Sequence, residues 1–395
     1  MSGARVFLIA GEESGDQLGA GLMRALRSES PAVAFAGVGG HAMEREGLKS
    51  LFPLSEIAVM GITAVLARLP SIYRRGLEVV DAVVRASPDV LVVIDSPEFT
   101  HAVARRVRRK LPNLPIVNYV SPSVWAWRPG RAPRMRAYVD HVLALKPFEP
   151  AAHLRLGGPP CTYVGHPLVE RLDELRPVPG ERPSLSSDPL TLLVLPGSRR
   201  SEISRLCEPF GQALGMVQRS AGRRLDIVLP AVPHLLDDIR ARTAEWPVQP
   251  RIVEGEAEKR SAFRRANVAL AASGTVTLEL ALSGVPMVVA YKVSKLEEQL
   301  RHLIKVPSIV LANLILGENV IPERVQWDCT PEKLAEALLP LFGDTPERRN
   351  QLEAFSRLDG IMETGSSTTP SERAAEIVLA EIERARRPQR VSRDA

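Results

Sequence analysis

One stretch predicts the fold of the first half of the chain: Val6-Phe-Leu-Ile-Ala-Gly-Glu-Glu-Ser-Gly-Asp16. Its apolar run has the length of a β-strand and stops at Gly11, and apolar residues at helical spacing follow. In a doubly wound α/β fold this turn usually carries a glycine-rich phosphate loop. Here it carries Glu12, Glu13 and Asp16, and negative charge at a helix N-terminus disfavours a phosphate. We therefore expect a ligand with hydroxyl groups or a positive charge at this turn.

Composition indicates a globular protein of more than one domain. The chain has 395 residues, of which 45% are hydrophobic and 25% charged. Its three cysteines, Cys161, Cys207 and Cys329, are too far apart for a zinc motif and do not form a disulfide framework, so we expect a reducing cytoplasm and no metal. We find neither a signal-peptide pattern nor a run of about 18 apolar residues. The net charge of +5 favours anionic partners only modestly.

The first half alternates short apolar runs with helical patterns, which is typical of parallel βα units. The predicted strands are Val6–Ala10, Val33–Val38, Val90–Ile94, Ile116–Val120 and His141–Ala144.

A Pro- and Ser-rich stretch then interrupts the pattern, and the alternation starts again after it. The second set of predicted strands is Leu190–Leu195, Leu225–Leu229, Val268–Ala272 and Met287–Ala290. We predict a Rossmann-like domain over residues 1–175, a linker over 176–189, a second Rossmann-like domain over 190–365, and a C-terminal helix with its tail over 366–395. Two such domains would place the main ligand crevice between them.

The phosphate chemistry is expected after the linker, in Leu195-Pro-Gly-Ser-Arg-Arg-Ser-Glu202. Gly197 permits close approach of a ligand, Ser198 can donate a hydrogen bond, and Arg199 offers a guanidinium to a diphosphate. The alternative is an ordinary βα turn with solvated arginines.

A second candidate is Ala272-Ser-Gly-Thr-Val-Thr-Leu-Glu279. Ser273, Gly274 and Thr275 stand where a helix begins, and free N–H groups there favour phosphate. Glu279 can accept the hydroxyl groups of a ribose. The alternative is that Ser273 or Thr275 only caps the helix.

In the first half, Asp95 follows an apolar strand, where α/β folds bind ligands, and is a candidate general base. Glu98 is a nearby rival, and a loop aspartate that binds backbone N–H groups is the alternative. Ser14 fits a capping box with Gln17, whereas Glu12 has no such local role.

Two aromatic or apolar segments are candidates for lipid contact. In Tyr119-Val-Ser-Pro-Ser-Val-Trp-Ala-Trp-Arg128, Trp125 and Trp127 can form a platform for a sugar or acyl chain, or a hydrophobic plug. Met60-Gly-Ile-Thr-Ala-Val-Leu-Ala-Arg-Leu-Pro-Ser-Ile-Tyr-Arg-Arg75 can lie on an anionic membrane, or form a packed helix broken by Pro70.

Together these motifs resemble the lipid-A-disaccharide synthases, glycosyltransferases of the Gram-negative outer-membrane lipid pathway. The motifs are Gly11-Glu-Glu-Ser-Gly-Asp16, Ala58-Val-Met-Gly61, Ile94-Asp-Ser-Pro97, Tyr119–Arg128, Val164-Gly-His-Pro167, Leu195-Pro-Gly-Ser-Arg199, Ser273-Gly-Thr-Val-Thr-Leu-Glu279 and Asn313. The tryptophan motif is the most specific of them, and the resemblance extends over nearly the whole chain.

The resemblance implies an α/β fold of the GT-B class, with two Rossmann-like domains facing a central crevice and a C-terminal helix that returns to the first domain. It implies an inverting transfer from UDP-2,3-diacylglucosamine to 2,3-diacylglucosamine 1-phosphate (lipid X), without cofactor or metal. It also implies a location on the cytoplasmic face of the inner membrane, on its anionic surface, and a homodimer that exchanges C-terminal parts.

On this hypothesis the roles divide between the halves. Asp95 is the general base, and Glu12 or Asp16 orients sugar hydroxyls. Ser14, Trp125, Trp127, Met60 and Arg128 belong to the acceptor, acyl-chain or membrane side. Gly197, Ser198, Arg199, Ser273, Gly274 and Thr275 bind UDP, while Glu279 and Asn313 position ribose and donor sugar.

Two other functions stay open at this stage. A UDP-GlcNAc epimerase or a soluble transferase would share the fold but need no acyl-binding surface. A nucleic-acid-binding protein would fit the basic pI of about 9.3, but no nucleic-acid motif is present and the arginines are scattered over both halves. We therefore expect no nucleic-acid partner.

Overall fold

The computed structural model describes residues 3–58, 62–294, 298, 306–365 and 367–387, with only the backbone for 62–67. The chain divides into two compact units. Unit 1 comprises Met1–Glu170 and Thr364–Ala395, and unit 2 comprises Arg171–Glu363.

Unit 1 contains a sheet of six parallel strands in the order β2-β1-β3-β4-β5-β6. The strands are β1 (Arg5–Ala10), β2 (Ala34–Val38), β3 (Val90–Ile94), β4 (Ile116–Tyr119), β5 (His141–Ala144) and β6 (Cys161–Tyr163). The helices of this unit are α1 (Glu13–Glu29), α2 (His41–Arg45), α3 (Ile62–Ala86), α4 (Pro97–Lys110), α5 (Arg131–Met135), α6 (Glu149–Arg155) and, from the end of the chain, α16 (Pro370–Arg386).

Helices cover both faces of this sheet, which is why its central strands are apolar throughout. On one face α1 and α16 contribute Leu22, Leu26 and Val378 to the core. On the other face α3 and α4 contribute residues such as Val83 and Val107.

The C-terminal helix α16 is an integral part of unit 1. Thr369 caps it, accepting a hydrogen bond from the backbone N–H of Glu372. An ion pair and a hydrogen bond tie its far end to the unit, since Arg386 Nη2 lies 2.8 Å from Asp89 Oδ1 and Glu381 Oε1 lies 2.9 Å from His141 Nδ1. The return of the last helix to the first domain is therefore confirmed.

Unit 2 contains a second sheet of six parallel strands in the order β12-β11-β10-β7-β8-β9. The strands are β7 (Leu190–Leu195), β8 (Leu225–Ala231), β9 (Arg251–Glu254), β10 (Val268–Ala272), β11 (Met287–Tyr291) and β12 (Glu323–Val325). The helices are α7 (Leu172–Leu175), α8 (Arg200–Ser220), α9 (Leu236–Thr243), α10 (Glu256–Arg265), α11 (Val276–Leu282), α12 (Leu311–Leu316), α13 (Pro331–Leu338), α14 (Pro346–Ser356) and α15 (Leu358–Met362).

Each sheet has one point at which the strand order reverses direction, and ligands bind beyond the strand ends at such points. In unit 1 the point lies between β1 and β3, and in unit 2 between β7 and β10. The loops that begin at Gly11 and Asp95 therefore neighbour each other in unit 1. The loops that begin at Pro196 and Ser273 do so in unit 2.

Several local features differ from expectation. Residues 176–189, the predicted linker, lie in unit 2, where the Arg182 guanidinium donates to the carbonyl oxygens of Ser283 and Gly284, each at 2.7 Å. Helix α3 runs through Pro70 without ending there, so the prediction that Pro70 breaks the helix is wrong. Within the described residues, no helix combines the length and apolar character needed to cross a bilayer.

Candidate functional site

The switch point of unit 1 carries a small acidic cluster. Glu12 precedes the first turn of α1, and its Oε1 accepts a hydrogen bond from Ser14 Oγ at 2.9 Å. The same hydroxyl lies 3.5 Å from Asp95 Oδ2. Helix α1 begins at Glu13 without a side-chain cap, so the capping role predicted for Ser14 is wrong. Instead, Ser14 links the acidic residues of two loops.

The close approach of these loops requires Gly11. A Cβ atom at this position would stand 2.1 Å from Ser96 Cβ, which no real structure tolerates. The backbone N–H of Gly11 donates to the Ile94 carbonyl oxygen at 3.2 Å, which holds the ends of β1 and β3 together.

Asp95 has an unusual backbone. Its φ is 55° and that of Ser96 is 43°, so two consecutive non-glycine residues are left-handed. Such conformations cost about 1–3 kcal/mol each and cluster at active sites. The Ser96 N–H donates to Asp95 Oδ1 at 2.7 Å, which orients the carboxylate and leaves Oδ2 on the Ser14 side. The half-buried Asp95 is thus held in a fixed orientation at the strand end.

Asp16 has a different task from the one the sequence suggests. It is only 3% exposed, and its carboxylate accepts backbone N–H groups from Gly40 at 2.7 Å, Ala42 at 2.8 Å and Met43 at 3.1 Å. It therefore caps α2 and fixes the loop after β2. Asp16 also lines an open cavity of unit 1, and its contact with a sugar hydroxyl stays a prediction.

The first loop of unit 2 is organised by a buried carboxylate. Glu202, which is 5% exposed, accepts hydrogen bonds from the backbone N–H groups of Ser198 at 3.0 Å and Arg199 at 3.2 Å. Its other oxygen pairs with the Arg199 guanidinium at 2.9 Å. Gly197 has a φ of 118°, and a Cβ there would lie 2.5 Å from Glu202 Cβ. The glycine is required both for the backbone conformation and for this contact.

The neighbouring loop presents free backbone donors. Gly274 and Thr275 are exposed, and no described residue accepts a hydrogen bond from the N–H groups of Gly274, Thr275 or Val276. Three adjacent N–H groups at the start of α11 are suited to an anion. Ser273 instead donates its hydroxyl to the Ile309 carbonyl oxygen at 2.6 Å. The Ser273 side chain is therefore held by the protein, whereas the backbone N–H groups of the next three residues are open to a ligand.

Comparison with known proteins decides the family. The family model described as lipid-A-disaccharide synthetase matches residues 6–377. The chain belongs to the lipid-A-disaccharide synthase family. It is 59% identical to the lipid-A-disaccharide synthase of Nitrobacter winogradskyi over 384 residues, covering 97% of this chain and 96% of that protein. It is 58% identical to the enzyme of Rhodopseudomonas palustris strain HaA2, covering 95% of each.

Solved structures at low identity share the fold. Acinetobacter baumannii MurG has a TM-score of 0.59 at 14% identity, covering 95% of this chain and 99% of that one. The UDP-GlcNAc 2-epimerase of Methanocaldococcus jannaschii, solved with UDP-GlcNAc and UDP, has a TM-score of 0.57 at 14% identity with the same coverage. These likenesses confirm the GT-B class predicted from the family motifs.

Two other positions that the sequence assigns to the donor have protein partners. The Glu279 carboxylate, 19% exposed, lies 3.4 Å from Lys259 Nζ. The Asn313 amide is buried: its Nδ2 donates to the Ile321 carbonyl oxygen and to Glu323 Oε1, both at 3.0 Å. Asn313 thus supports the chain around Ile309, against which Ser273 is held, and its direct contact with a donor sugar stays a prediction.

The two tryptophans of the specific motif point in different directions. Trp125 donates its Nε1–H to the buried Glu149 at 3.1 Å and stacks edge-on against Phe148, so it packs as a plug. Trp127 is 39% exposed, and the Arg128 guanidinium lies over its ring at 4.0 Å. Only Trp127 is placed to act as an outward platform. Met60, the remaining candidate, lies outside the described residues.

An open cavity of about 820 Å³ lies beside the first turns of α1 in unit 1. Glu13 and Gln17 of α1 line it on one side, and Phe52, Pro53 and Leu54 line it on the other. The cavity thus combines hydrogen-bonding groups with apolar surface. A sugar that carries acyl chains needs both kinds of surface in its binding site.

Sequence reasoning missed the two carboxylates that shape the donor side, Glu202 and Glu323. Glu323 accepts the Ser308 hydroxyl and, at 3.0 Å, the Ile309 N–H. The signal for Glu202 was available, because a glutamate three residues after a helix N-cap commonly bonds back to the cap region. No local signal marks Glu323, which acts across the chain fold.

Proposed function

We propose that this protein is an inverting glycosyltransferase of lipid A biosynthesis. It transfers 2,3-diacylglucosamine from UDP to the 6-hydroxyl of 2,3-diacylglucosamine 1-phosphate, giving the β-1,6-linked disaccharide 1-phosphate and UDP. The proposal rests on family membership over residues 6–377 together with the chemistry of the two switch points: one is acidic, and the other has backbone N–H groups open to an anion.

Asp95 acts as the general base in this proposal. The acceptor oxygen forms a bond to C1 of the donor sugar while the C1–O bond to UDP breaks, and the hydroxyl proton passes to the Asp95 carboxylate. The Ser96 N–H fixes one carboxylate oxygen at 2.7 Å, which leaves the other to receive the proton. Glu12 and Ser14 orient the acceptor hydroxyl beside it.

The donor side stabilises the negative charge that gathers on the leaving UDP. The open N–H groups of Gly274, Thr275 and Val276 lie beyond β10, next to the loop that carries Arg199. Charge-assisted hydrogen bonds from these groups would strengthen as the phosphate charge grows. The Glu279 carboxylate is assigned to accept hydrogen bonds from the ribose hydroxyls. The Lys259 ammonium group, 3.4 Å away, balances the negative charge of Glu279.

Contact with the membrane is assigned to α3. Leu69, Tyr73 and Leu77 are all exposed and recur every four residues, so they share one face of the helix. Arg68 and Arg74 are exposed on the same helix. An apolar stripe flanked by arginines suits the anionic cytoplasmic face of the inner membrane.

A homodimer by C-terminal exchange is the remaining part of the proposal. In this structure α16 packs against α1 of its own chain, burying Ala374, Ala375 and Val378. An exchanged dimer would form the same contacts between two copies. Sedimentation over a range of protein concentrations tests it, and a mass of one chain throughout would contradict it.

Asp95→Asn tests the proposed base. We expect turnover to fall by about 10²–10⁴-fold, the usual contribution of a general base, while UDP binding is unchanged. Glu29→Gln is the matched control, because Glu29 is an exposed carboxylate at the far end of α1 and has no part in the proposed site. Purified protein is assayed with both lipid substrates for kcat, and UDP binding is measured by calorimetry.

Retained turnover in Asp95→Asn would contradict the assignment, as would loss of UDP binding. Turnover of UDP-GlcNAc without any acylated acceptor would contradict the proposed function itself and favour an epimerase. The two failures are distinguishable because the second concerns the unmodified enzyme.

A further inference from the structure

A second polar cavity in unit 1, of about 490 Å³, has no role in the reaction described above. It lies beside α4 and α5, and four arginines line it. These are Arg105 of α4, Arg131 and Arg134 of α5, and Arg128 of the preceding loop.

The charge of this cavity is strongly unbalanced. Glu98 is the only acidic residue among the described ones that line it, and one of its oxygens bonds both Arg131 at 2.6 Å and Arg128 at 3.2 Å. Arg105 and Arg134 form no ion pair with any described residue. The Glu98 side chain is 70% exposed, whereas that of Arg131 is only 16% exposed. One carboxylate therefore balances the charge of four arginines only in part, and Arg131 is the most buried of the four.

The floor of the cavity is rigid. Tyr138 supports the Arg105 guanidinium, which lies 5.6 Å above its ring, and the Tyr138 hydroxyl contacts His101 Nδ1 at 3.1 Å. His101 Nε2 lies 2.9 Å from Asn118 Oδ1, and the Asn118 amide donates to the Val120 carbonyl oxygen. This series of hydrogen bonds places the His101 proton on Nε2, so Nδ1 accepts a hydrogen bond from the Tyr138 hydroxyl. Burial lowers the pKa of His101 to about 4, so no further positive charge comes from it at neutral pH.

The cavity begins close to the proposed base. Pro97, the first residue of α4, lines it and stands two residues after Asp95. Two residues span at most about 7 Å of chain. The arginine cluster is therefore reached from the Asp95 loop along the first turns of α4.

We propose that this cavity binds a phosphate ester, and that its occupant is the 1-phosphate of the acceptor sugar. The inference rests on the proposed function, since it presupposes a phosphorylated acceptor at Asp95. A phosphate monoester carries about −1.5 to −2 charges at neutral pH, which matches the unpaired Arg105 and Arg134. Guanidinium forks bind such oxygens in pairs. Glu98 swings outward when the phosphate takes its place between Arg128 and Arg131.

The test uses the double variant Arg105→Gln/Arg134→Gln. We expect the KM for the phosphorylated acceptor to rise at least about tenfold, as when hydrogen bonds to a charged group are lost, with the donor KM unchanged. The matched control is Arg109→Gln/Arg136→Gln. It removes the same charge from exposed positions at α4 and α5 that do not line the cavity. We expect the control to keep the KM of the unmodified enzyme.

An acceptor that lacks the 1-phosphate identifies the group that is bound. The proposal expects the double variant and the unmodified enzyme to use this acceptor equally well. An equal loss with both acceptors would overturn it, as would an equal loss in the control variant.

Phosphatidylglycerol vesicles distinguish a lipid headgroup from the acceptor. If the double variant loses vesicle binding while its acceptor KM in detergent micelles is unchanged, the cavity serves the membrane and the proposal is wrong. If the unmodified enzyme forms no disaccharide at all, the proposed function has failed instead. Calorimetry with glucosamine 1-phosphate then still compares phosphate binding between the two double variants, and equal binding overturns the cavity assignment.

Discussion

The loops that follow the first strand of each sheet occupy the same place in two similar units and have opposite chemistry. In unit 1 the loop after β1 brings Glu12 to a hydroxyl shared with Asp95. In unit 2 the loop after β7 carries Arg199 beside the open N–H groups that follow β10. The strand order alone marks both places as ligand sites, and the side chains decide which ligand each accepts.

A buried acid near the start of the helix that follows the first strand has a different role in each unit. Asp16 reaches across to the neighbouring loop and accepts three of its N–H groups. Glu202 turns back and accepts two N–H groups of its own loop. In unit 1 we therefore assign Glu12, in the loop after β1, to the proposed ligand site. In unit 2 Glu202 holds the loop around Gly197 and pairs with the Arg199 guanidinium, which fixes the position of that side chain.

Among variants that compare the two loops, the largest effect is expected from an alanine at each loop glycine. In Gly197→Ala the new Cβ clashes with Glu202 at 2.5 Å, and a φ of 118° is strained for alanine. Distortion of this loop by about 2–3 kcal/mol would raise the donor KM by about 30- to 150-fold. In Gly11→Ala the clash is with Ser96, so kcat should fall instead and UDP affinity should persist. Steady-state kinetics with calorimetric UDP binding separates the two results.

If both variants lost UDP affinity equally, the assignment of UDP to the Gly197 loop and of the acceptor to the Gly11 loop would be wrong. Gly360→Ala is a suitable control, because a Cβ at this helical position meets no atom within 4 Å.

A smaller effect distinguishes a supporting acid from a catalytic one. Asp16→Asn replaces part of an acceptor that binds three N–H groups, so the free energy of unfolding should fall by about 1–3 kcal/mol. Turnover of the folded variant should change by less than about tenfold, well below the loss of a general base. Urea unfolding and kcat are measured together. A large loss of kcat at unchanged stability would restore the catalytic role that the sequence suggests for Asp16.

The fold was predictable where strands are buried on both faces. Val90–Ile94, Leu190–Leu195 and Val268–Ala272 begin and end where their apolar runs do. The short edge strands Arg251–Glu254 and Glu323–Val325 were missed, because polar and charged residues at a sheet edge leave no apolar run to detect.

The site was predictable in its loops but not in its internal partners. Asp95 and Gly197 stand at strand ends, a position that sequence pattern defines. The capping of Gly40–Met43 by Asp16 depends on a contact between two neighbouring loops. The burial of Asn313 against Glu323 likewise depends on how two segments meet. Local secondary-structure propensity carries no information about contacts between segments that are far apart in the sequence.

The last comparison concerns the response of the two units to acid. Burial lowers the pKa of His101 to about 4 and that of His166 to about 3, and it lowers the pKa of His153 as well. All three belong to unit 1, whereas His234 is the sole histidine among the described residues of unit 2 and is exposed. Below pH 6.5 the unfolded chain takes up protons that these buried rings refuse, so stability falls as the pH falls toward 4.

Each such histidine contributes about 1.4 kcal/mol of lost stability per pH unit at most. We therefore expect amide exchange in β3 and β4 to accelerate between pH 7 and pH 5.5, after correction for intrinsic rates, while β7 and β10 change less. His101→Gln removes one titrating ring and should reduce the pH dependence of unit 1 alone. An equal response of both units would show that the buried histidines do not set the acid sensitivity, because the titration would then lie in groups that both units share.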